Sequence, residues 1–139
     1  AMQSHYHMLE RDVEREVLPY CASHGVGFVP YFPLAGGFLT GKYRRGQPVP
    51  SGSRGESSDY VKGYMTDANY ERIEKLEAWA SEHGHSLGEL AQAWLLAQPA
   101  VCSVISGATR LEQIQANVRS AEWKLDAAEL EQVNALLKG

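Results

Sequence analysis

Two short apolar runs, VGFVPYF (Val26–Phe32) and VCSVIS (Val101–Ser106), each follow directly behind a segment with helical periodicity. Both runs are rich in β-branched or aromatic residues, so they read as buried strands. Strands separated by helices are joined by crossovers rather than hairpins, and crossovers make neighbouring strands parallel. The expected class is therefore α/β. A third strand is expected at AMQSHYHML (Ala1–Leu9), which reads as a strand end. Translation does not begin at Ala1, so the chain is expected to start within a fold.

The helical patterns carry their own boundaries. Leu9, Val13, Val17 and Cys21 recur four apart and stop at Gly25, and Pro19 fits only if the regular helix begins about a turn before it. Tyr70, Ile73, Leu76 and Ala80 mark a second helix, closed by Gly84. Ser86 and Glu89 have the spacing of a capping box, and the helix they open carries Leu87, Leu90, Ala91, Trp94 and Leu95 before Pro99 breaks it. Thr109 with Glu112, and Asp126 with Glu129, are expected to cap two further helices, with Leu125 and Leu130 stapling the last. From residue 33 to residue 66 the chain turns to Gly, Pro, Ser, Lys and Arg, which reads as one long functional loop. No internal repeat is evident.

Composition narrows the function classes. A net charge of −4 with dispersed basic residues argues against a nucleic-acid partner. No run of about eighteen apolar residues is present to span a membrane, and no charged-then-apolar leader supports secretion. Cys21 and Cys102 lack any framework spacing and are expected to be inert thiols on apolar faces in a reducing cytoplasm.

Two glycine turns follow the two strand runs. In SGATRLEQIQAN (Ser106–Asn117) the strand ends at Gly107 and a helix opens. Free N–H groups and the positive dipole end of a helix attract phosphate. Gly107 permits close backbone approach, Arg110 adds charge, and Gln113 and Asn117 sit one turn apart with amides that can donate to and accept from a base. Taken alone, a capped strand-to-helix turn explains this stretch as well. In PYFPLAGGFLTGKY (Pro30–Tyr43), Tyr31 offers a stacking face, Gly36, Gly37 and Gly41 expose backbone, and Lys42 can meet a phosphate. A plain loop with a solvated lysine is the competing reading.

Together the two stretches resemble the aldo-keto reductase family, which has a Y-S-P-L-x-x-G-x-L-T-G-K-Y segment after its seventh barrel strand and G-A-x-x-x-x-Q-x-x-x-N after its eighth. QSHYHMLERD (Gln3–Asp12) looks like the sixth strand and its exit. The resemblance implies the C-terminal portion of a (β/α)8 TIM barrel, with three parallel strands and flanking helices over residues 1–139. It implies that Gln3 bonds the nicotinamide carboxamide and that Tyr31 stacks on the ring. Phe32, Pro33, Leu34, Gly37, Leu39 and Lys42 would line the pyrophosphate, with Arg54 closing from the loop. Gly107, Ala108, Thr109 and Arg110 would meet the adenosine 2′-phosphate, and Gln113 and Asn117 the adenine. Two positions depart from the family pattern. Phe32 stands where serine is usual, leaving only backbone for a phosphate contact, and Thr109 stands where arginine is frequent, with Arg110 one place later. NADP is the expected cofactor.

The family's chemistry resembles hydride transfer from NADPH to a carbonyl, with a tyrosine proton donor tuned by lysine and aspartate and helped by histidine. Those residues belong to earlier strands, and no position here matches them. Tyr6, Tyr31 and Tyr43 lie in other motifs. A whole barrel has eight strands and typically about 250 residues. These residues are thus expected to be a catalytically silent part of a cytoplasmic enzyme acting on small aldehydes or ketones, with an open sheet edge able to pair with another chain. The alternative is a non-enzymatic nicotinamide-binding regulatory subunit of the same fold. His5 and His7 share a strand face, as His83 and His85 would if extended, but metal binding needs further ligands. Trp79, Trp94 and Trp123 read as packing residues, Trp123 alternatively as a surface aromatic, and Lys42–Arg45 as a phosphate rim or a solvated stretch rather than a nucleic-acid patch.

Overall fold

The computed structural model describes residues 1–139. Strand β1 (Met2–His5) pairs in parallel with β2 (Phe28–Tyr31), in the register Met2–Phe28 through His5–Tyr31. The link between them is a crossover: a 3-10 turn at Asp12–Glu14 leads into helix α1 (Val17–Ser23). Pro19 therefore sits in the first turn of α1, where its missing N–H breaks no intrahelical bond.

The expected third strand is not a continuous one. Residues 101–106 run beside β2 with a single parallel bridge, Phe28 to Val101. Phe28 N–H donates to Ala100 O at 2.8 Å, and Cys102 N–H donates to Phe28 O at 3.0 Å. The next β2 residue facing that side is Pro30, which has no N–H, so the rung is lost. Pairing resumes out of step, with Ile105 N–H reaching Pro30 O at 3.3 Å. Three extended segments thus lie side by side in the order β1, β2, 101–106, but only two form a ladder.

Residues 33–66 are not one irregular loop. They hold a 3-10 segment at Ala35–Thr40 and two short helices, α2 (Arg54–Ser57) and α3 (Asp59–Gly63). Helix α4 (Asp67–Glu82) buries Ile73, Leu76 and Ala80, and α5 (Leu87–Leu96) is apolar almost all round. The Ser86–Glu89 capping box forms as expected, with Ser86 N–H donating to Glu89 Oε2 at 2.9 Å and Glu89 N–H to Ser86 Oγ at 3.2 Å. Asp126 and Glu129 cap α7 (Ala127–Lys138) in the same way.

The Thr109–Glu112 box does not form. Helix α6 (Leu111–Glu122) starts one residue later, with Arg110 at the N-cap. Gln113 instead reaches back, its Oε1 accepting from Thr109 N–H at 2.7 Å and Arg110 N–H at 3.2 Å. An amide at the third helical position satisfies two free N–H groups at once, which a Glu112 carboxylate one residue earlier does not.

The core lies between the strands and helices α4 and α5, around Tyr6, Phe28, Phe38, Leu39, Leu76, Leu90 and Trp94, all fully buried. The Tyr6 ring meets Phe28 edge-on at 5.9 Å and tilts against Trp94 at 5.3 Å. Trp79 and Trp123 are half-buried and stack on His83 and His85 respectively. Cys21 is buried, but Cys102 is exposed rather than on an apolar face.

Candidate functional site

Strand alternation assigns the faces. Phe28 and Pro30 turn into the core, so Val29 and Tyr31 face the other way, and the register puts Gln3 and His5 beside them. Gln3 is exposed, and the His5 and Tyr31 rings lie nearly parallel, 5.5 Å apart.

Beyond Tyr31 the backbone turns left-handed. Phe32 (φ 56°) and Ala35 (φ 50°) adopt it without being glycine, followed by Gly36 (φ 66°) and Gly37 (φ 105°). Such conformations cost a side-chain-bearing residue roughly 1–3 kcal/mol and tend to gather where a ligand is held. Ala35 N–H donates to Phe32 O at 2.9 Å and Gly37 N–H to Leu34 O at 2.8 Å, which fixes the turn. Pro33 is buried and Leu39 completely so, backbone included, which takes Leu39 out of reach of a ligand here, while Leu34 is half-buried. Lys42 Nζ packs against Gly37 and lies 5.2 Å from the Tyr43 ring centroid. Tyr43 is buried and accepts from Gly55 N–H at 2.9 Å, tethering α2 and with it Arg54. Tyr43 is thus an anchor for the loop.

The KYRR rim divides. Arg44 and Arg45 are held by Glu77 and Glu74 of α4, whereas Lys42 and Arg54 form no ion pair. Arg110, at the other loop, is also unpaired. A cation without a carboxylate partner is open to an anionic ligand.

At the second loop, Gly107 has open space where a Cβ would stand, and Gly107 through Arg110 are all exposed. Gln113 uses its carbonyl oxygen on the backbone, as above. Asn117 Oδ1 accepts from Gln92 Nε2 at 2.9 Å, and the Gln92 carbonyl in turn accepts from Ser106. Both amides have therefore committed their acceptor halves to the protein and keep their NH₂ groups. Gln113, whose Oε1 already accepts from Thr109 and Arg110, is left only to donate to a base, whereas Asn117 Oδ1 accepts once and keeps a lone pair.

The structure adds residues that sequence reasoning did not place in the site. Tyr60 of α3 brings its hydroxyl to 2.6 Å from His5 Nε2 and 3.1 Å from His7 Nε2, and Tyr64 O–H donates to it at 3.3 Å. Phe32 lies 5.4 Å from the Tyr60 ring. His7 is fully buried, and that burial, with His5 nearby, lowers its pKa to about 3. Burial likewise raises Tyr60 and Tyr64, so both phenols stay protonated at neutral pH. The shared face of His5 and His7 was legible; Tyr60, more than fifty residues away, was not. There is no three-residue group of His, Cys, Asp or Glu that could hold a metal.

Two candidate loops thus leave the same ends of neighbouring parallel segments. The model of the aldo/keto reductase family matches residues 1–138. The chain belongs to the aldo/keto reductase family. A "Probable voltage-gated potassium channel subunit beta" of Arabidopsis thaliana is 40% identical over 124 residues, covering 86% of this chain and 38% of that protein. An "NADH-specific methylglyoxal reductase" of Escherichia coli (strain K12) is 34% identical over 131 residues, covering 92% of this chain and 39% of that one. Among solved structures, the thermostable aldo-keto reductase Tm1743, in complex with the inhibitor epalrestat, aligns with a TM-score of 0.66 at 26% identity, over 96% of this chain and 38% of its own. The chain spans about two fifths of the length of these relatives. Family membership supports a TIM-barrel-type fold, of which these residues form a two-stranded part.

Proposed function

We propose that these residues form the nicotinamide-nucleotide-binding part of an oxidoreductase that reduces aldehydes and ketones to alcohols with NADP. The observation that carries this reading is the placement of the two loops. Tyr31 ends β2, Gly107 ends the extended segment bonded to β2, and ligands of parallel α/β folds bind at such carboxyl ends.

The donor sets fit the cofactor from end to end. Tyr31 is exposed for ring stacking with Gln3 beside it on the same face, and Lys42, Arg54 and Arg110 are cations without carboxylate partners. The open space at Gly107 and the NH₂ groups of Gln113 and Asn117 suit a nucleotide laid across the start of α6. Phe32, Pro33, Leu34 and Gly37 contribute backbone along the pyrophosphate, and Ala108 and Thr109 contribute the first N–H groups beside the 2′-phosphate. The bound nicotinamide supplies the hydride that adds to the carbonyl carbon. What this chain does is orient: it stacks the ring, bonds the carboxamide and neutralises phosphate charge. The proton for the product alcohol comes from residues outside this sequence, so the 139 residues alone do not turn over substrate.

The reading is tested by titrating NADPH and NADH into the chain, following nucleotide fluorescence, alongside an aldehyde reduction assay. Saturable binding without turnover is expected, with NADPH the tighter ligand because Arg110 stands at the 2′-phosphate. No binding of either nucleotide overturns it. A second reading, a regulatory nucleotide-binding subunit without turnover, is favoured by the likeness to the Arabidopsis protein. Absence of carbonyl reduction by a longer protein containing this chain, with binding retained, decides for it. A cytoplasmic setting is part of the proposal; no helix is long and apolar enough to cross a membrane.

A further inference from the structure

Helix α6 does not rest on α5 through its apolar side. Its one fully buried residue is Ser120, whereas Leu111, Ile114 and Val118 are each more than half exposed. Two polar bonds from successive turns of α5 hold it instead. Glu89 accepts from Arg119 at 2.9 Å, and Gln92 Nε2–H donates to Asn117 Oδ1 at 2.9 Å. Arg119 is largely in solvent, where an ion pair is screened. Gln92 is only 5% exposed and stands in a run of buried Leu, Ala and Trp. Burying an amide there costs free energy that a leucine would not, and only its hydrogen bonds offset it.

Those bonds lead to two places. Besides Asn117, Gln92 meets Ser106, whose Oγ–H donates to Gln92 Oε1 at 2.5 Å. Both ends of the amide are thereby satisfied. Turning over both the Gln92 and Asn117 amides exchanges donors for acceptors and keeps both bonds, so the link does not depend on which way they point. Ser106 directly precedes Gly107, and Asn117 lies in the second turn of the helix that follows. One buried side chain therefore ties the residue before the open glycine turn to an amide beyond it. We infer that Gln92 is a positioning residue for nucleotide binding, which fixes the Asn117 side chain relative to the Gly107 turn. This rests on the proposed nucleotide reading, with Asn117 at the base. A side chain already held in place loses less freedom when a ligand meets it, so the base is bound more tightly without a new contact.

The test compares the two ends of the nucleotide on the same chain. Gln92→Leu should weaken adenosine 2′,5′-bisphosphate and NADPH about fivefold, on the order of the ordering cost of one side chain. Reduced nicotinamide mononucleotide, which lacks the adenosine end, should bind as before. Equal weakening of both ends is what a merely structural role predicts, and it overturns the inference. In an Asn117→Ala background the same substitution should change affinity by less than about twofold, because the side chain it positions is gone. Equal losses in the two backgrounds overturn the inference as well. Ser106→Ala cuts the link at its other, half-buried end, and should reproduce the pattern more weakly even if Gln92→Leu does not fold. Adenosine-end affinity that Ser106→Ala leaves unchanged overturns the link. Binding of NADPH that Gln92→Leu does not alter overturns this assignment alone, whereas no binding by the unaltered chain overturns the nucleotide reading and the assignment together.

Discussion

The two glycine loops look alike in sequence and differ in what their glycines are for. In the loop after β2, Gly36, Gly37 and Gly41 all have positive φ, and a Cβ on them would stand 2.7 Å from Val61 Cγ2, 2.9 Å from Lys42 Nζ and 2.6 Å from Glu77 Oε1. The fold itself requires these glycines. At Gly107 the φ is ordinary, and a Cβ would meet nothing within 4 Å. There the protein's own packing does not require glycine. The same division holds for the polar groups. At the ring end, His5, His7, Tyr60 and Tyr64 bond one another. At the adenosine end, Gln113 and Asn117 each keep a free NH₂ group. One loop is shaped by the protein's own contacts, and the other, on the proposed reading, is left open for a nucleotide.

The sharpest attempt to break this contrast is Gly36→Ala. Alanine at φ 66° is strained, and its methyl group collides with Val61, itself almost fully buried. The two effects together should destabilise the chain by about 2–4 kcal/mol, read as a lower denaturant midpoint. A loss below about 0.5 kcal/mol would mean the ring-end loop is as permissive as the other.

The buried His7 should make the ring end acid-labile. Its folded pKa of about 3 lies below the ordinary 6.5, so below pH 6.5 the unfolded chain binds a proton that the folded chain refuses. Its contribution is intact above pH 6.5 and is lost as pH falls toward 3, at about 1.4 kcal/mol per pH unit. Unfolding free energies at pH 7 and pH 5 should therefore differ by about 2 kcal/mol from this residue, a difference that His7→Asn removes. An equal slope in the variant would show that other groups carry the acid response.

How much of this was legible follows the same line. The strand runs, the Ser86 and Asp126 caps and both loop motifs depend on neighbours within about four residues, and local pattern records those. The broken third strand was visible in principle, because Pro30 stands in the β2 run, but its consequence needed the partner's register. The cap on α6 was misplaced by one residue because Gln113 can act where Glu112 was expected. The ion pairs of Arg44 and Arg45 with α4, and the Tyr60 contact with His5 and His7, join residues dozens of positions apart. No spacing rule encodes them.

At the adenosine end, stability and binding should come apart. Glu89 caps α5 and also accepts from Arg119 of α6 at 2.9 Å, so it ties α6 to the core. Burial pushes its carboxyl up, but hydrogen bonds from Ser86 and Arg119 outweigh that and hold it below the ordinary carboxylate range. Glu89→Ala should cost about 1–2 kcal/mol, mostly through the cap, because Arg119 is more than half exposed. Weaker nucleotide binding should accompany it as α6 loosens. A stability loss with unchanged nucleotide affinity would separate the placement of α6 from the site.

The smallest stability effect is the most informative one. Gly107→Ala places a methyl group where the protein has none, in ordinary backbone, so the unfolding free energy should change by less than about 0.5 kcal/mol. Nucleotide affinity should nevertheless fall by about tenfold, equivalent to about 1.4 kcal/mol, because the methyl group occupies the approach to the first N–H groups of α6. Isothermal titration with NADPH beside a denaturation curve reads both quantities on one preparation. Equal affinity in the variant would mean the nucleotide passes elsewhere, leaving Gly107 a turn residue with no ligand to serve. A large stability loss would mean that this loop, like its counterpart after β2, is shaped by the fold itself.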